Sequence, residues 1–193
     1  MNQTSSVIRH ATIEDAELLA ELGARTFCET FAAANSPEDM TAYLASSFGP
    51  ALQATELADP DSLFLIAEVA GVAAGYAKLK PGDPPSGVTD QKPIELVRLY
   101  VSQEWLGRGV GAALMLACIH QAGRKGYRTL WLGVWEHNDR AQAFYRQWKF
   151  RDVGRHIFQL GADAQTDLLM ERSITEEEQE SLLHRDENAW GTD

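Results

Sequence analysis

The run Trp105-Leu106-Gly107-Arg108-Gly109-Val110-Gly111-Ala112 decides how this chain is read. Ahead of it stands Ile94-Glu95-Leu96-Val97-Arg98-Leu99-Tyr100-Val101, a strand-like segment. Behind it Val110, Ala113, Leu114, Ala117 and Cys118 recur at helical spacing, which predicts a helix over residues 109 to about 125. A strand, a glycine-rich turn and a helix N-terminus in that order make an anion cradle. The first N–H groups of a helix lack intrahelical acceptors, and the helix dipole adds partial positive charge where they converge. Glycines let that backbone approach an anion with no Cβ in the way. The stretch therefore predicts a phosphate-bearing ligand.

Outward from this turn the chain reads as alternating elements. Val7-Ile8-Arg9 is a short strand. Thr12-Ile13-Glu14-Asp15 has the form of a capping box, and Ala16, Leu19, Ala20, Gly23 and Phe27 follow at helical spacing. Ser36-Pro37 opens a second helix with Met40, Tyr43, Leu44 and Ser47 on one face. A third short helix is expected over 51–57, ended by Asp59-Pro60-Asp61. Strands over 63–69 and 73–79 form a hairpin through Ala70-Gly71. Downstream of the glycine turn, 129–135 is a strand, so strand, helix and strand predict a parallel pair with a right-handed crossover. Asn138 or Asp139 caps a short helix carrying Ala141, Phe144, Tyr145 and Trp148 on one face. Residues 151–160 and 167–171 read as two antiparallel strands, and 174–193 as an acidic extension.

Composition narrows the partners. At 193 residues, 45% hydrophobic and 23% charged, the chain fits one soluble α/β domain. The formal net charge of −11 disfavours nucleic acid, since no basic stripe is present, and favours cations such as amines. No signal peptide and no membrane-length apolar run are evident, so no membrane partner is expected. Cys28 and Cys118 lie in helical patterns and read as reduced thiols, which fits the cytoplasm. The five histidines show no ligand spacing, so no metal is expected.

Among phosphate ligands, a P-loop nucleotide is excluded, because Val110-Gly111-Ala112 stands where Gly-Lys-Ser/Thr is needed. Gly107, Gly109 and Ala112 satisfy a loose dinucleotide fingerprint, and Glu136 ends the next strand. Too little chain follows Glu136 for a second nucleotide-binding half and a substrate domain, and two helices and a hairpin precede the turn.

Residues 96–153 resemble the GNAT superfamily of acetyl-CoA-dependent N-acetyltransferases. Leu106-Gly107-Arg108-Gly109-Val110-Gly111 occupies that family's signature R/Q-x-x-G-x-G/A, and Asn138-Asp139-Arg140-Ala141-Gln142-Ala143-Phe144-Tyr145 occupies its later motif N-x-x-A-x-x-F-Y. Within the superfamily the chain is most similar to PaiA-like polyamine (spermine/spermidine) acetyltransferases, through Trp131-Leu132-Gly133-Val134-Trp135-Glu136 and Phe27-Cys28-Glu29-Thr30-Phe31. The resemblance implies one α/β (α+β) domain over 1–173, a mixed central sheet with helices on both faces, and 174–193 as an appended extension. It implies acetyl-CoA as cosubstrate, a small-molecule amine as acceptor, direct attack in a ternary complex, and a homodimer as an allowed assembly.

Residue by residue, it implies that Leu106, Gly107, Arg108, Gly109, Val110, Gly111 and Ala112 hold the pyrophosphate. The backbone of Leu99, Tyr100 and Val101 would pair with the pantetheine arm, and Asn138, Ala141, Phe144 and Tyr145 would line it. The Leu99 or Val101 amide is placed to polarise the thioester oxygen. Tyr145 would protonate the leaving thiolate: a phenol is neutral at pH 7 and can donate to the basic sulfur. An alkylamine, with a pKa of ~10.4, must first lose a proton. Glu95, Glu29 and His137 are the candidate bases, with Glu95 favoured. Glu29 and Phe31 are expected to border the acceptor. Two positions depart from the family pattern. Leu106 replaces the usual Arg or Gln, and Lys149 stands where glycine usually follows the short helix. A non-catalytic acyl-CoA-binding module on the same fold is the alternative, disfavoured by Tyr145, since a pure binder needs no proton donor at the sulfur.

Overall fold

The computed structural model describes residues 6–88, 92–175 and 178. The strands are β1 (Ser6–His10), β2 (Leu63–Val69), β3 (Val72–Pro81), β4 (Pro93–Val101), β5 (Thr129–Trp135), β6 (Arg151–Leu160) and β7 (Asp163–Ser173). The helices are α1 (Ala16–Phe31), α2 (Pro37–Ser47), α3 (Pro50–Ala58), α4 (Val110–Arg124) and α5 (Asp139–Gln147). The seven strands form one sheet in the order β1-β2-β3-β4-β5-β7-β6. All neighbours are antiparallel except β4 and β5, the pair joined by the α4 crossover.

Local chemistry explains the element ends. The Thr12 amide donates to Asp15 Oδ2 at 2.8 Å, and Arg9 grips the same carboxylate with two 2.8 Å bonds, so the entry to α1 is tied to β1. Ser36 Oγ accepts from the Asp39 amide at 3.1 Å, with Pro37 in the first turn of α2. The β2–β3 turn places Ala70 and Gly71 at φ 51° and 77°, the left-handed pair that a tight hairpin requires. Strand β7 starts four residues earlier than the pattern suggested. Gly161, at φ 61°, turns the chain at once, and Asp163 pairs with Leu160.

Helices α4 and α5 cover one face of the sheet, and α1 to α3 the other. Leu114, Met115 and Cys118 of α4 are fully buried against Leu65, Ala77, Leu130 and Leu132, whereas Ala113 of the expected stripe is only half-buried. On the opposite face Leu19 and Leu22 pack on Ile66 and Tyr76. Beneath the same face Glu56 of α3 binds Lys78 at 2.7 Å and Arg98 at 2.8 Å, which fixes α3 to β3 and β4. Ile174 is buried in the core, so the packed chain runs past the expected boundary at 173. Of the proposed extension, Ile174, Thr175 and Glu178 are described and the remainder lies outside the described residues. Among the described residues no helix is long and apolar enough to cross a membrane.

Lys149 ends α5 at φ 65°, the left-handed conformation that glycine adopts without a Cβ penalty. Replacing it with glycine is expected to stabilise the fold by roughly 1 kcal/mol. The check is the urea midpoint, and an unmoved or lowered midpoint would show that the lysine carries no strain.

Candidate active site

The cradle stands at the C-terminal end of β4. Leu106 and Arg108 spend their amides on the carbonyls of Gln103 and Trp105, each at 3.3 Å, which closes a short helical turn ahead of α4. The first helical bond of α4 runs from Ala113 N–H to Gly109 O at 3.0 Å. The amides of Gly107, Gly109, Val110, Gly111 and Ala112 therefore have no backbone acceptor among the described residues. Gly107 and Gly109 sit at φ 74° and 89°, and a Cβ built on either meets nothing within 4 Å. Both residues line the cavity, so nothing of the chain fills the space beside them. Arg108 lies over the Trp105 ring, 5.3 Å from its centroid, and the Leu106 side chain is exposed at the mouth.

Beside the cradle the sheet splits. Strands β4 and β5 pair only over Pro93–Thr129, Ile94–Leu130 and Glu95–Trp131. A register shift next to Lys78 and Leu79 leaves Val97 as the extra residue of β4. The Ser102 amide donates to Ala74 O at 2.9 Å, and antiparallel bonds alternate, so the backbone of Tyr100 faces β3 while that of Leu99 and Val101 faces the gap. An extended amide-bearing chain laid there would complete the ladder. The free amides, the glycine space and the open strand edge together fit a coenzyme A pyrophosphate and arm.

One cavity of about 690 Å³ joins these features. Tyr145 lines it from α5, with its ring 5.6 Å from both Phe144 and Phe150. It thus packs in the core and borders the cleft together. Burial pushes its phenol well above the ordinary value, with the Cys118 thiol adding to the rise, so it holds its proton at neutral pH. Asn138 Oδ1 accepts from the Ala141 amide at 3.1 Å; it caps α5 and also lines the cavity.

The candidate bases are placed differently. Glu95 lines the cavity at the last paired rung of β4, and burial raises its carboxyl while Lys78 opposes the rise. Glu29 also lines it, with Oε2 accepting the Gln103 amide at 2.9 Å, a bond that ties α1 to the loop entering the cradle. His137 is exposed, edge-on to Trp135, and does not line the cavity. Phe31 does, tilted against Phe27 with ring centroids 4.4 Å apart and edge-on to Trp135.

The cavity is also lined by residues that the motifs did not reveal: Tyr43, His156, Phe158, Gln165 and Asp167. The available signal was alternation, since His156, Phe158 and Leu160 share one face of β6. The β6–β7 hairpin is fastened over the cleft by α2, where Asp39 accepts the Ala162 amide at 2.6 Å. Burial raises the Asp167 carboxyl, while His156 pulls it down. Among the described residues no group of three or more His, Cys, Asp or Glu side chains is arranged to hold a metal ion.

Comparison with known proteins agrees with this geometry. Residues 23–150 match the Acetyltransferase (GNAT) family. An uncharacterized N-acetyltransferase in the pepI 3' region of Lactobacillus delbrueckii subsp. lactis is 36% identical over 149 residues, which cover 77% of this chain and 86% of the relative. The chain belongs to the GNAT acetyltransferase family and is an acetyl-CoA-dependent N-acetyltransferase. Among solved structures its fold is similar to that of the PaiA N-acetyltransferase from Thermoplasma acidophilum in complex with coenzyme A. The TM-score is 0.69 and the identity 24%, over 88% of this chain and 99% of that one. It is also similar to YncA, a putative acetyltransferase from Salmonella typhimurium with its cofactor acetyl-CoA. There the TM-score is 0.62 and the identity 21%, over 89% and 95% of the two chains.

Proposed function

We propose that the protein acetylates a primary amine of a small cationic molecule, a polyamine being the favoured class, by direct attack on acetyl-CoA in a ternary complex in the cytoplasm. The observation that carries this reading is the continuity of the cavity. The glycine turn with its free amides, Tyr145, aromatic rings and the carboxylate of Asp167 all border one continuous space. A polyamine is a chain of cationic nitrogens joined by apolar spacers, and such a wall suits both parts. The similarity to the PaiA structure supports the class. The free thiols of Cys28 and Cys118 support a reducing compartment.

In this mechanism the amides of Gly107 and of Gly109 to Ala112 bind the coenzyme's pyrophosphate. The Leu99 and Val101 backbone aligns the arm and polarises the thioester oxygen. Asn138, Ala141 and Phe144 wall the arm, and Tyr145 gives its proton to the leaving sulfur. Glu29 and Phe31 border the acceptor, and Glu95 holds a carboxylate near the reacting end. Bound acetyl-CoA supplies the acyl group.

The test is thiol release with acetyl-CoA and a panel of spermidine, spermine, n-butylamine and amino sugars. The polyamines are expected to give at least tenfold higher kcat/KM than butylamine. Tight coenzyme A binding with no thiol released by any amine would favour the binding-module reading instead.

A further inference from the structure

His156 and Asp167 face each other as cross-strand partners on β6 and β7, and both line the cavity. His156 Nε2 lies 3.6 Å from Asp167 Oδ2. That nitrogen is sealed from solvent with no hydrogen-bond partner among the described residues, an arrangement with a desolvation cost. Gly133 of β5 explains how the ring fits. A Cβ there would come within 2.7 Å of Nε2 and 3.1 Å of Oδ2. The strand thus lacks a side chain where the imidazole folds over it. The side chain of His156 keeps 35% of its surface exposed. With Nε2 turned to the carboxylate, Nδ1 is the accessible nitrogen.

We propose that His156 is the general base for the amine and Asp167 its positioning residue, an assignment that rests on the acetyltransferase reading. The Asp167 carboxylate faces the ring from β7; Glu136 after β5 and Tyr43 from α2 interact electrostatically with Asp167, and Arg155, next to His156 on β6, pairs with Glu136 at 3.6 Å. The gap of 3.6 Å closes when the ring becomes charged, as catalytic hydrogen bonds do once substrate binds. The ammonium of the acceptor gives one proton to Nδ1. Its lone pair forms the C–N bond to the thioester carbonyl carbon as the C–S bond breaks. The sulfur takes the Tyr145 proton, and the second nitrogen proton restores the phenol. One amide, one thiol and one proton held by His156 result, and that proton leaves to solvent.

Two measurements test the assignment. In coenzyme A-loaded protein, spermidine or n-butylamine is expected to shift the His156 imidazole nitrogen resonances saturably, a readout that needs no turnover. Resonances unmoved at millimolar amine overturn the proposal. In kinetics, His156→Gln is expected to lower kcat/KM for the amine about 100-fold at pH 7, with acetyl-CoA affinity within twofold. Its log kcat/KM should then rise with unit slope toward pH 10, as solvent supplies the free amine. Asp167→Asn should move the acidic limb of the wild-type profile to lower pH, since the imidazole loses its carboxylate. Gly133→Ala, which displaces the ring while leaving both His156 and Asp167 in the sequence, should reproduce the His156→Gln profile and guards against a folding artefact. Thiol release with an unchanged pH profile in His156→Gln would remove the histidine and leave the transferase reading intact. Wild-type protein whose imidazole shifts with amine but which releases no thiol would remove that reading and, with it, the role as base.

Discussion

Tyr145→Phe is expected to lower kcat for thiol release by about 100-fold or more while leaving the Kd for acetyl-CoA within twofold. The phenol borders the cleft from α5 and has no hydrogen-bonded partner among the groups that perturb it. Removing its oxygen therefore leaves no buried protein group newly unpaired. The Phe144 and Phe150 contacts are made by the ring and survive. Only the proton donor is lost, and the departing sulfur must then be protonated by water. A loss in kcat with unchanged coenzyme affinity separates that role from packing. Equal turnover in the variant would show that the thiolate is protonated by another group. The burial-raised phenol also predicts that no decline from its ionisation appears in the kcat profile near pH 10, where an ordinary tyrosine titrates.

Gly109→Leu is expected to weaken coenzyme A binding by roughly 100-fold, about 2.7 kcal/mol. Two effects add. The residue sits at φ 89°, where a side chain costs about 1–2 kcal/mol, and the free loop relieves that strain by leaving the conformation that binds. A side chain there would also enter open space beside a residue that lines the cavity, where we place the diphosphate. Displacing an anion from even one of those amides forfeits about 1.5–3 kcal/mol. Gly111→Ala is the matched control. The added methyl would lie 3.7 Å from Phe144 and 3.8 Å from Val101, ordinary contacts, so affinity should stay within about threefold. Calorimetry with coenzyme A measures both. Equal affinities in the two variants would place the diphosphate elsewhere.

Much of the architecture was legible because it is encoded locally. The Thr12–Asp15 cap, the Ser36-Pro37 helix start and the Ala70-Gly71 turn each depend on a few adjacent residues, and each stands where it was expected. The cradle was legible for the same reason, since its amides belong to one contiguous stretch, Gly107 to Ala112. The refinement within it was not. That Leu106 and Arg108 spend their amides on the turn, and that Tyr100 faces β3 while Leu99 and Val101 face the gap, follow from three-dimensional pairing. No periodicity distinguishes these residues from their neighbours. Glu29 read as an acceptor contact, yet one of its oxygens binds a backbone amide on a loop 74 residues away in sequence. His137 stood close in sequence to the second motif and lies outside the cavity. His156 and Asp167 carried no motif, yet the sheet brings them to its wall.

By itself the sequence determined the order of elements, the anion cradle and the phenol in the second turn of a capped helix, because hydrogen-bond caps, glycine conformations and helical spacing act over a few residues. Only the tertiary structure decided where β4 leaves β5, which amides stay free and which side chains close the acceptor end. Those depend on strand register across the whole sheet, and a register is set by packing between segments far apart in the chain.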